Sequence, residues 1–135
     1  MKVIEHITRT KKTLFSFEIL PPIFKGSIEI VFDTLDPLME FRPPFIHVTY
    51  HRNECFRKSR QGTLGTCAAV TKKYNVETVP HLLSSVFYNN NIEDPFMNLQ
   101  FLGIENLFYL RGDYIKCEKV GKKKIICPGF TEAST

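Results

Sequence analysis

The chain has 135 residues, of which 43% are hydrophobic and 24% are charged, and these fractions are typical of a globular chain rather than a disordered or collagen-like one. At roughly 100 to 200 residues per domain, this length allows one domain and excludes a two-domain enzyme. The 18 basic and 14 acidic residues leave a net charge of +4, which suits an anionic ligand but is far from that of a dedicated nucleic-acid-binding protein.

The N-terminal region and the cysteines both point to the cytoplasm. Residues 1–12 are polar and charged, and Glu18 interrupts the apolar run that follows, so we expect neither a signal peptide nor a membrane span. The four cysteines form no CxxC pair, and the chain contains no N-glycosylation sequon. This pattern favours free thiols in a reducing compartment over disulfides or a metal site.

The first half of the chain predicts two strand-helix units. Residues 13–20 are rich in β-forming residues and end at a Pro-Pro pair, which predicts strand one. Apolar residues then recur at helical spacing over 28–39, after Ser27 as a candidate N-cap, and Pro37 is expected to kink or split this helix. Residues 45–50 predict strand two, and a second helix with a basic last turn is expected to begin with Thr63 as its N-cap.

The second half continues the same alternation. Residues 77–83 predict strand three, although Pro80 inside it must lie at a bulge, near the strand end or on an edge. A helix begins at Asp94-Pro95 and ends at Gly103, and residues 106–110 predict strand four. The strand starts recur about every 30 residues, the length of one βα repeat. This alternation predicts a mostly parallel sheet, either doubly wound or part of a (β/α)8 barrel.

Polar or ionisable residues stand at or near the C-terminal end of each predicted strand, where both α/β designs bind ligands. They are Glu18, Thr49, His81, Arg111 and Asp113. Neither GxGxxG nor GxxxxGK[ST] follows strand one, so dinucleotide-binding and P-loop folds are disfavoured. The barrel is therefore the favoured architecture.

Four segments at these strand ends resemble methylenetetrahydrofolate reductase, a family of FAD-dependent (β/α)8-barrel enzymes. The segments are FSFEILPP at 15–22, PPFIHVTY at 43–50, VPHLL at 79–83 and LGIENLFYLRGD at 102–113. They occur in the family's order, one per predicted strand. The stretch GTLGTCAAVTKKYNVETVPH looks most like the bacterial members.

The resemblance implies an oxidoreductase of one-carbon metabolism that serves methionine synthesis. In this family NAD(P)H reduces FAD, and the reduced flavin converts 5,10-methylenetetrahydrofolate to 5-methyltetrahydrofolate. Glu18 matches the family's general acid, which helps to open the methylene bridge of the folate. A partly desolvated carboxyl group at a barrel mouth can supply such a proton.

The resemblance also implies a set of flavin-contacting residues. Thr49, His81, Arg111 and Gly112 match flavin-contacting positions, with Arg111 supplying charge and Gly112 allowing close approach of the backbone. Asp113 matches an aspartate near the flavin and the folate, which tunes the flavin and steadies the cationic intermediate. The residues alone, without the resemblance, favour a solvated strand-end carboxylate for Glu18 and a core histidine with satisfied hydrogen bonds for His81.

The chain departs from the family in length. A complete barrel needs eight units and about 250 residues, whereas the observed spacing gives four. We therefore expect residues 1–113 to form the N-terminal half of such a barrel, and residues 114–135 to form a divergent, basic and irregular tail. The four strands should lie in the order 1-2-3-4, with helices on one outer face and right-handed crossovers. The residues expected on the inner face are Phe15, Phe17, Ile46, Val48, Leu107 and Tyr109.

Two classes of function stay open at this point. The chain is either a segment of a flavin oxidoreductase, which pairs with itself or with a missing C-terminal half, or a truncated nonenzymatic remnant that keeps the motifs without the activity. The partners expected for the first class are a folate substrate and NAD(P)H. A nucleic-acid-binding module is disfavoured because no RNP-like, helix-turn-helix or zinc motif is present.

Overall fold

Four parallel strands organise the chain in a computed structural model that describes residues 2–22, 26–50, 62–83 and 93–110. The elements in chain order are α1 (Val3–Arg9), β1 (Phe17–Ile19), α2 (Glu29–Leu38), β2 (Phe45–Val48), α3 (Thr63–Tyr74), β3 (Glu77–Leu83), α4 (Glu93–Phe101) and β4 (Phe108–Leu110). A single 3-10 turn, Met39–Phe41, extends α2. None of the helices in the described ranges is long and apolar enough to cross a membrane.

The strands form one sheet in the order β1-β2-β3-β4, and each pairs with its neighbour in parallel. Helices alternate with these strands along the chain. This confirms the predicted α/β class and strand order, and the arrangement is compatible with part of a (β/α)8 barrel. The handedness of the crossovers stays a prediction.

The hydrophobic core lies between the sheet and helices α2 and α3. Its fully buried members include Leu35 of α2, Ile46 and Val48 of β2, and Cys67 and Val70 of α3. Helices α2 and α3 therefore cover the same face of the sheet, as expected from the sequence. We call this face the helix-covered face.

The prediction of which strand residues lie on the inner face is wrong. Ile46 and Val48 were expected to face the inside of a barrel, but both are 0% exposed in the core beneath α2 and α3. The register places Phe17 beside Ile46, and Tyr109 beside Leu82, so both lie on the helix-covered face as well, because side chains alternate along a strand. Strands of parallel sheets are apolar on both faces, so their sequence pattern does not show which face turns inward.

The remaining two residues of that expected inner set flank the strands. Phe15 lies just before β1, where its ring packs edge-on against Phe17 and Phe41 at centroid distances of 5.9 and 6.3 Å. Leu107 lies just before β4 and is half-buried. Neither residue therefore belongs to a strand as the structure defines it.

Pro80 lies at a change of pairing partner. Residues 77–80 of β3 pair with β2, and residues 81–83 pair with β4. The missing N–H of Pro80 therefore falls where one ladder ends and the next begins. The expectation that Pro80 lies near a strand end or on an edge is wrong, because it is the middle residue of a central strand.

Proline and glycine also shape two helix ends. Pro37 lies in the last turn of α2, and the chain tightens into the 3-10 turn immediately after it. Gly103 has a φ of 67° and donates its N–H to the Gln100 carbonyl, while Ile104 donates to Leu99. These bonds form a Schellman cap, which confirms the predicted role of Gly103.

Helix α1 was not predicted, because its sequence is polar and its seven residues are too few to form a stable helix alone. Tertiary contacts at the N-terminal end of the strands hold it. The Val3 N–H donates to Asn106 Oδ1 at 2.8 Å, and Asn106 Nδ2 donates to Glu77 Oε2 at 3.2 Å. The His6 ring also lies 6.1 Å from that of Phe45. Helix α1 thus covers the end of the sheet opposite to the predicted site.

Polar contacts beneath α3 provide a direct test of its packing. The hydroxyl oxygens of Thr71 and Thr78 lie 3.0 Å apart, linking α3 to β3. Burial raises the pKa of the Cys67 thiol to about 12, and Thr78 acts against this rise. In contrast, the buried hydroxyl of Thr66 has no partner in the part of the chain that the structure describes.

We expect Thr78→Val to lower the free energy of unfolding by about 1 kcal/mol, the usual net value of one hydrogen bond. Thr66→Val, its matched control on the same helix packing surface, should leave stability unchanged or raise it, because it removes a buried hydroxyl that lacks a partner. Chemical denaturation of the two variants measures the difference. Equal losses in both would mean that Thr66 has a polar partner of comparable strength.

The sheet edges predict association of the 135-residue chain when it is purified alone. Within the described ranges, β1 and β4 each pair with one neighbour, and Phe101, Phe108 and Tyr109 are 89%, 46% and 51% exposed. Unpaired strand edges next to apolar surface promote pairing with other chains. Light scattering should therefore report dimers or larger species, whereas a monodisperse 15.7 kDa monomer would contradict the prediction.

Candidate functional site

The predicted site residues converge where the strands end. Glu18 lies on β1, Thr49 follows β2, and His81 lies on β3, so all three are near the C-terminal edge of the sheet, where barrel enzymes bind ligands. Arg111, Gly112 and Asp113 follow β4 and lie outside the described residues.

Glu18, His47, Val79 and His81 share the face of the sheet opposite to α2 and α3. Glu18 is the register partner of His47, and His47 is the partner of Val79. His81 is two residues beyond Val79 on the same strand, so it faces the same way. Since paired strands lie about 4.8 Å apart, one carboxyl and two imidazole groups are neighbours on three adjacent strands. We call this surface the histidine face.

The two imidazoles are in direct contact. His47 Nδ1 lies 3.0 Å from His81 Nε2, and the ring centroids are 5.2 Å apart with an interplanar angle of 70°. The Phe108 ring lies 6.0 Å from that of His47 and 5.0 Å from that of His81. Phe45 contacts the other side of His47 at 5.6 Å. Phe108 therefore packs against both histidines, and Phe45 packs against His47 alone.

Burial favours the neutral form of both histidines. It lowers the pKa of His47 and of His81 below the ordinary value of 6.5, because a charged imidazole loses solvation inside the protein. The Glu18 carboxylate opposes this effect at both rings, and His47 adds to the lowering at His81. A neutral imidazole has one donor and one acceptor nitrogen, so the pair can form the observed hydrogen bond.

Thr49 ties β1 to β2 at the site. Its N–H and its hydroxyl both donate to the Ile19 carbonyl, at 2.9 and 3.1 Å. Its own carbonyl accepts a hydrogen bond from the Thr63 hydroxyl at 3.0 Å. The Thr49 hydroxyl therefore donates its proton to the Ile19 carbonyl, and its oxygen can still accept a hydrogen bond from a ligand.

The predicted N-cap role of Thr63 is wrong. Gly62 occupies the N-cap position of α3, and Thr63 is the first helical residue. Its hydroxyl is instead directed to Thr49, so the side chain that was expected to cap the helix anchors the helix start to the end of β2. Sequence offers no means of separating these roles, because both use a threonine at a helix start.

The Glu18 side chain is exposed. The described residues therefore do not supply the partial desolvation expected for an acid at a barrel mouth, and a bound ligand or another part of the barrel would have to supply it. Its position beside His47 on the histidine face nevertheless agrees with a role at the site.

His47 is the residue that the sequence analysis missed. It lies two positions before Thr49, so period-2 alternation along strand two would have placed both residues on one face. Its neighbours Ile46 and Val48 are apolar, so the segment has the nearly continuous apolar pattern of a buried parallel strand. Within the described ranges, no three His, Cys, Asp or Glu side chains are close enough to hold a metal ion.

Comparison with known proteins gives a consistent result. A family model described as methylenetetrahydrofolate reductase matches residues 3–130. The Arabidopsis thaliana protein "Methylenetetrahydrofolate reductase (NADH) 1" is 29% identical over 116 residues, which cover 84% of this chain and 19% of the plant protein. The "5,10-methylenetetrahydrofolate reductase" of Pectobacterium carotovorum subsp. carotovorum is 26% identical over 98 residues, covering 73% of this chain and 32% of the bacterial protein.

The chain thus spans about a fifth of its plant relative and about a third of its bacterial relative. The resemblance found in its strand-end segments is confirmed by a family model that extends over nearly all of its residues. We conclude that the chain belongs to the methylenetetrahydrofolate reductase family.

Proposed function

We propose that this chain supplies the N-terminal strands of a site that reduces 5,10-methylenetetrahydrofolate to 5-methyltetrahydrofolate with FAD and NAD(P)H. The main support for this proposal is that Glu18 and His81 lie on the same face of a parallel sheet, near its C-terminal edge. Family membership supports the reaction class. Residues 1–113 would form this part of the barrel, and residues 114–135 a basic tail.

The residues on the histidine face suit a flavin. The face combines aromatic rings and two neutral imidazoles with the acceptor oxygen of Thr49, which matches a flat ring system that has polar groups at its edge. When bound, FAD supplies hydride transfer between the nicotinamide and the folate. His81 and Thr49 would contact the flavin, together with Arg111 and Gly112.

Glu18 would act on the folate. Its carboxyl group would donate a proton to a nitrogen of the methylene bridge while the bond from that nitrogen to the bridging carbon breaks, which leaves an iminium ready to accept hydride. Its exposed position leaves room for a substrate. Asp113 would steady the resulting positive charge from the end of the fourth strand.

The proposal predicts that Glu18→Gln separates the two half-reactions. In a protein where this chain is part of a complete barrel, folate reduction should fall by about 10² to 10⁴, the usual contribution of one general acid. Reduction of the flavin by NAD(P)H should be unchanged, because hydride transfer to the flavin requires no proton from Glu18. Anaerobic stopped-flow absorbance measures each half-reaction separately.

The matched control is Glu29→Gln, which removes an exposed carboxylate from the first turn of α2, away from the histidine face. It should leave both half-reactions intact. Loss of both half-reactions in Glu18→Gln would show instead that Glu18 maintains the structure of the site, and an unchanged folate rate would remove it from the chemistry.

A further inference from the structure

We propose that His47 is a positioning residue that sets the tautomer of His81, so that the two imidazoles form one proton-sharing dyad on the histidine face. Its consequence for flavin binding rests on the proposed function, but the dyad itself does not. The argument starts from the 3.0 Å distance between His47 Nδ1 and His81 Nε2.

A single hydrogen bond between these two nitrogens couples the protonation states of both rings. If Nδ1 of His47 carries the proton, Nε2 of His81 must accept, and neutral His81 then carries its own proton on Nδ1. If Nε2 of His81 donates instead, neutral His47 must carry its proton on Nε2. The two histidines therefore always share the same tautomer, either both Nδ1–H or both Nε2–H.

The coupling also fixes what the dyad offers to a ligand. The nitrogens outside the hydrogen bond are His47 Nε2 and His81 Nδ1. In either state one of them is a donor and the other an acceptor, and moving the shared proton requires both outer nitrogens to exchange roles. A ligand that accepts a hydrogen bond from one nitrogen thereby selects the state of the other.

The surrounding structure holds this geometry in place. Both histidines lie on paired strands rather than on loops, and Phe108 contacts both rings at interplanar angles of 83° and 55°. Phe45 packs edge-on against His47. Sites built on strands and supported by packed neighbours maintain their geometry better than sites on loops.

Burial and the contact between the two rings favour the neutral form of the dyad, and the Glu18 carboxylate acts against them. On the histidine face, β1 contributes the Glu18 carboxylate, whereas the nearest β4 side chain is the uncharged Phe108. Arg111 and Asp113 follow β4, outside the described residues. Protonation of both rings would remove the only acceptor between them and place two like charges in contact.

The dyad predicts that stability falls as the solution becomes more acidic than about pH 6.5. Because the folded pKa of each histidine is lowered, the unfolded chain binds more protons between the folded pKa and the ordinary value, so the free energy of unfolding decreases as pH falls through this window. It should be fully regained above about pH 6.5. His47→Phe should weaken this dependence, whereas His6→Phe, which alters a histidine on α1, should leave it in place.

The decisive experiment is magic-angle-spinning NMR of the sedimented protein labelled with ¹³C,¹⁵N-histidine, which works whether or not the chain associates. The spectra of the four histidines are assigned with single His→Phe variants. At pH 7.5 we expect His47 and His81 to show the same neutral tautomer and a nitrogen–nitrogen correlation between Nδ1 of one and Nε2 of the other. Different tautomers, or no correlation, would overturn the dyad.

The variants provide a second, independent measurement. In His47→Phe, which keeps a ring against Phe108 and Phe45, the nitrogen shifts of His81 should move toward a mixture of tautomers, and His81→Phe should do the same to His47. His6→Phe should change neither. Unchanged His81 shifts in His47→Phe would overturn the positioning role.

Titration with FAD separates this inference from the proposed function. If the tautomers match and His47→Phe weakens FAD binding, His47 positions His81 for the flavin. If the tautomers match but neither histidine variant changes FAD affinity, the dyad is upheld and the flavin-contact role of His81 is wrong.

Discussion

Burial of Ile46 and Val48 beneath α2 and α3 determines the direction of every other side chain on the sheet. Both residues are fully excluded from solvent. Moving them to the opposite face would expose their apolar surface to water, which costs about 25 cal/mol of free energy per Å². Because side chains alternate along a strand, this burial places His47 on the other face. The parallel register then carries the same orientation to Glu18 on β1 and to His81 on β3.

Local signals in the sequence predicted the elements well. The bounds of β3 agree with the prediction, α3 begins one residue earlier than a Thr63 N-cap would place it, and Gly103 adopts the left-handed conformation that its place after a helix required. These features depend on residues a few positions apart. The strand order also followed from the sequence, because parallel strands joined by helices about 30 residues apart lie next to one another.

Features that depend on distant residues could not be predicted in the same way. Helix α1 is held by Asn106, more than a hundred residues along the chain, so nothing in its own sequence reveals it. Which side chains of a strand lie in the core depends on which face of the sheet the helices cover. The wrong assignment of the inner-face residues and the omission of His47 have this same origin. A histidine between two core residues becomes a site candidate only when those neighbours are known to lie on the opposite face.

The hydrogen bonds of Thr49 affect how substitutions at the site should be interpreted. The short strand β1 is attached to β2 partly through the Ile19 carbonyl, which accepts two hydrogen bonds from Thr49, and Glu18 immediately precedes Ile19. A variant such as Thr49→Ala would therefore loosen the backbone that carries the candidate acid while also removing a candidate flavin contact. Under the proposed function, one carbonyl oxygen would therefore link the flavin contact of Thr49 to the placement of Glu18, so a loss of activity in Thr49→Ala would not separate the two roles.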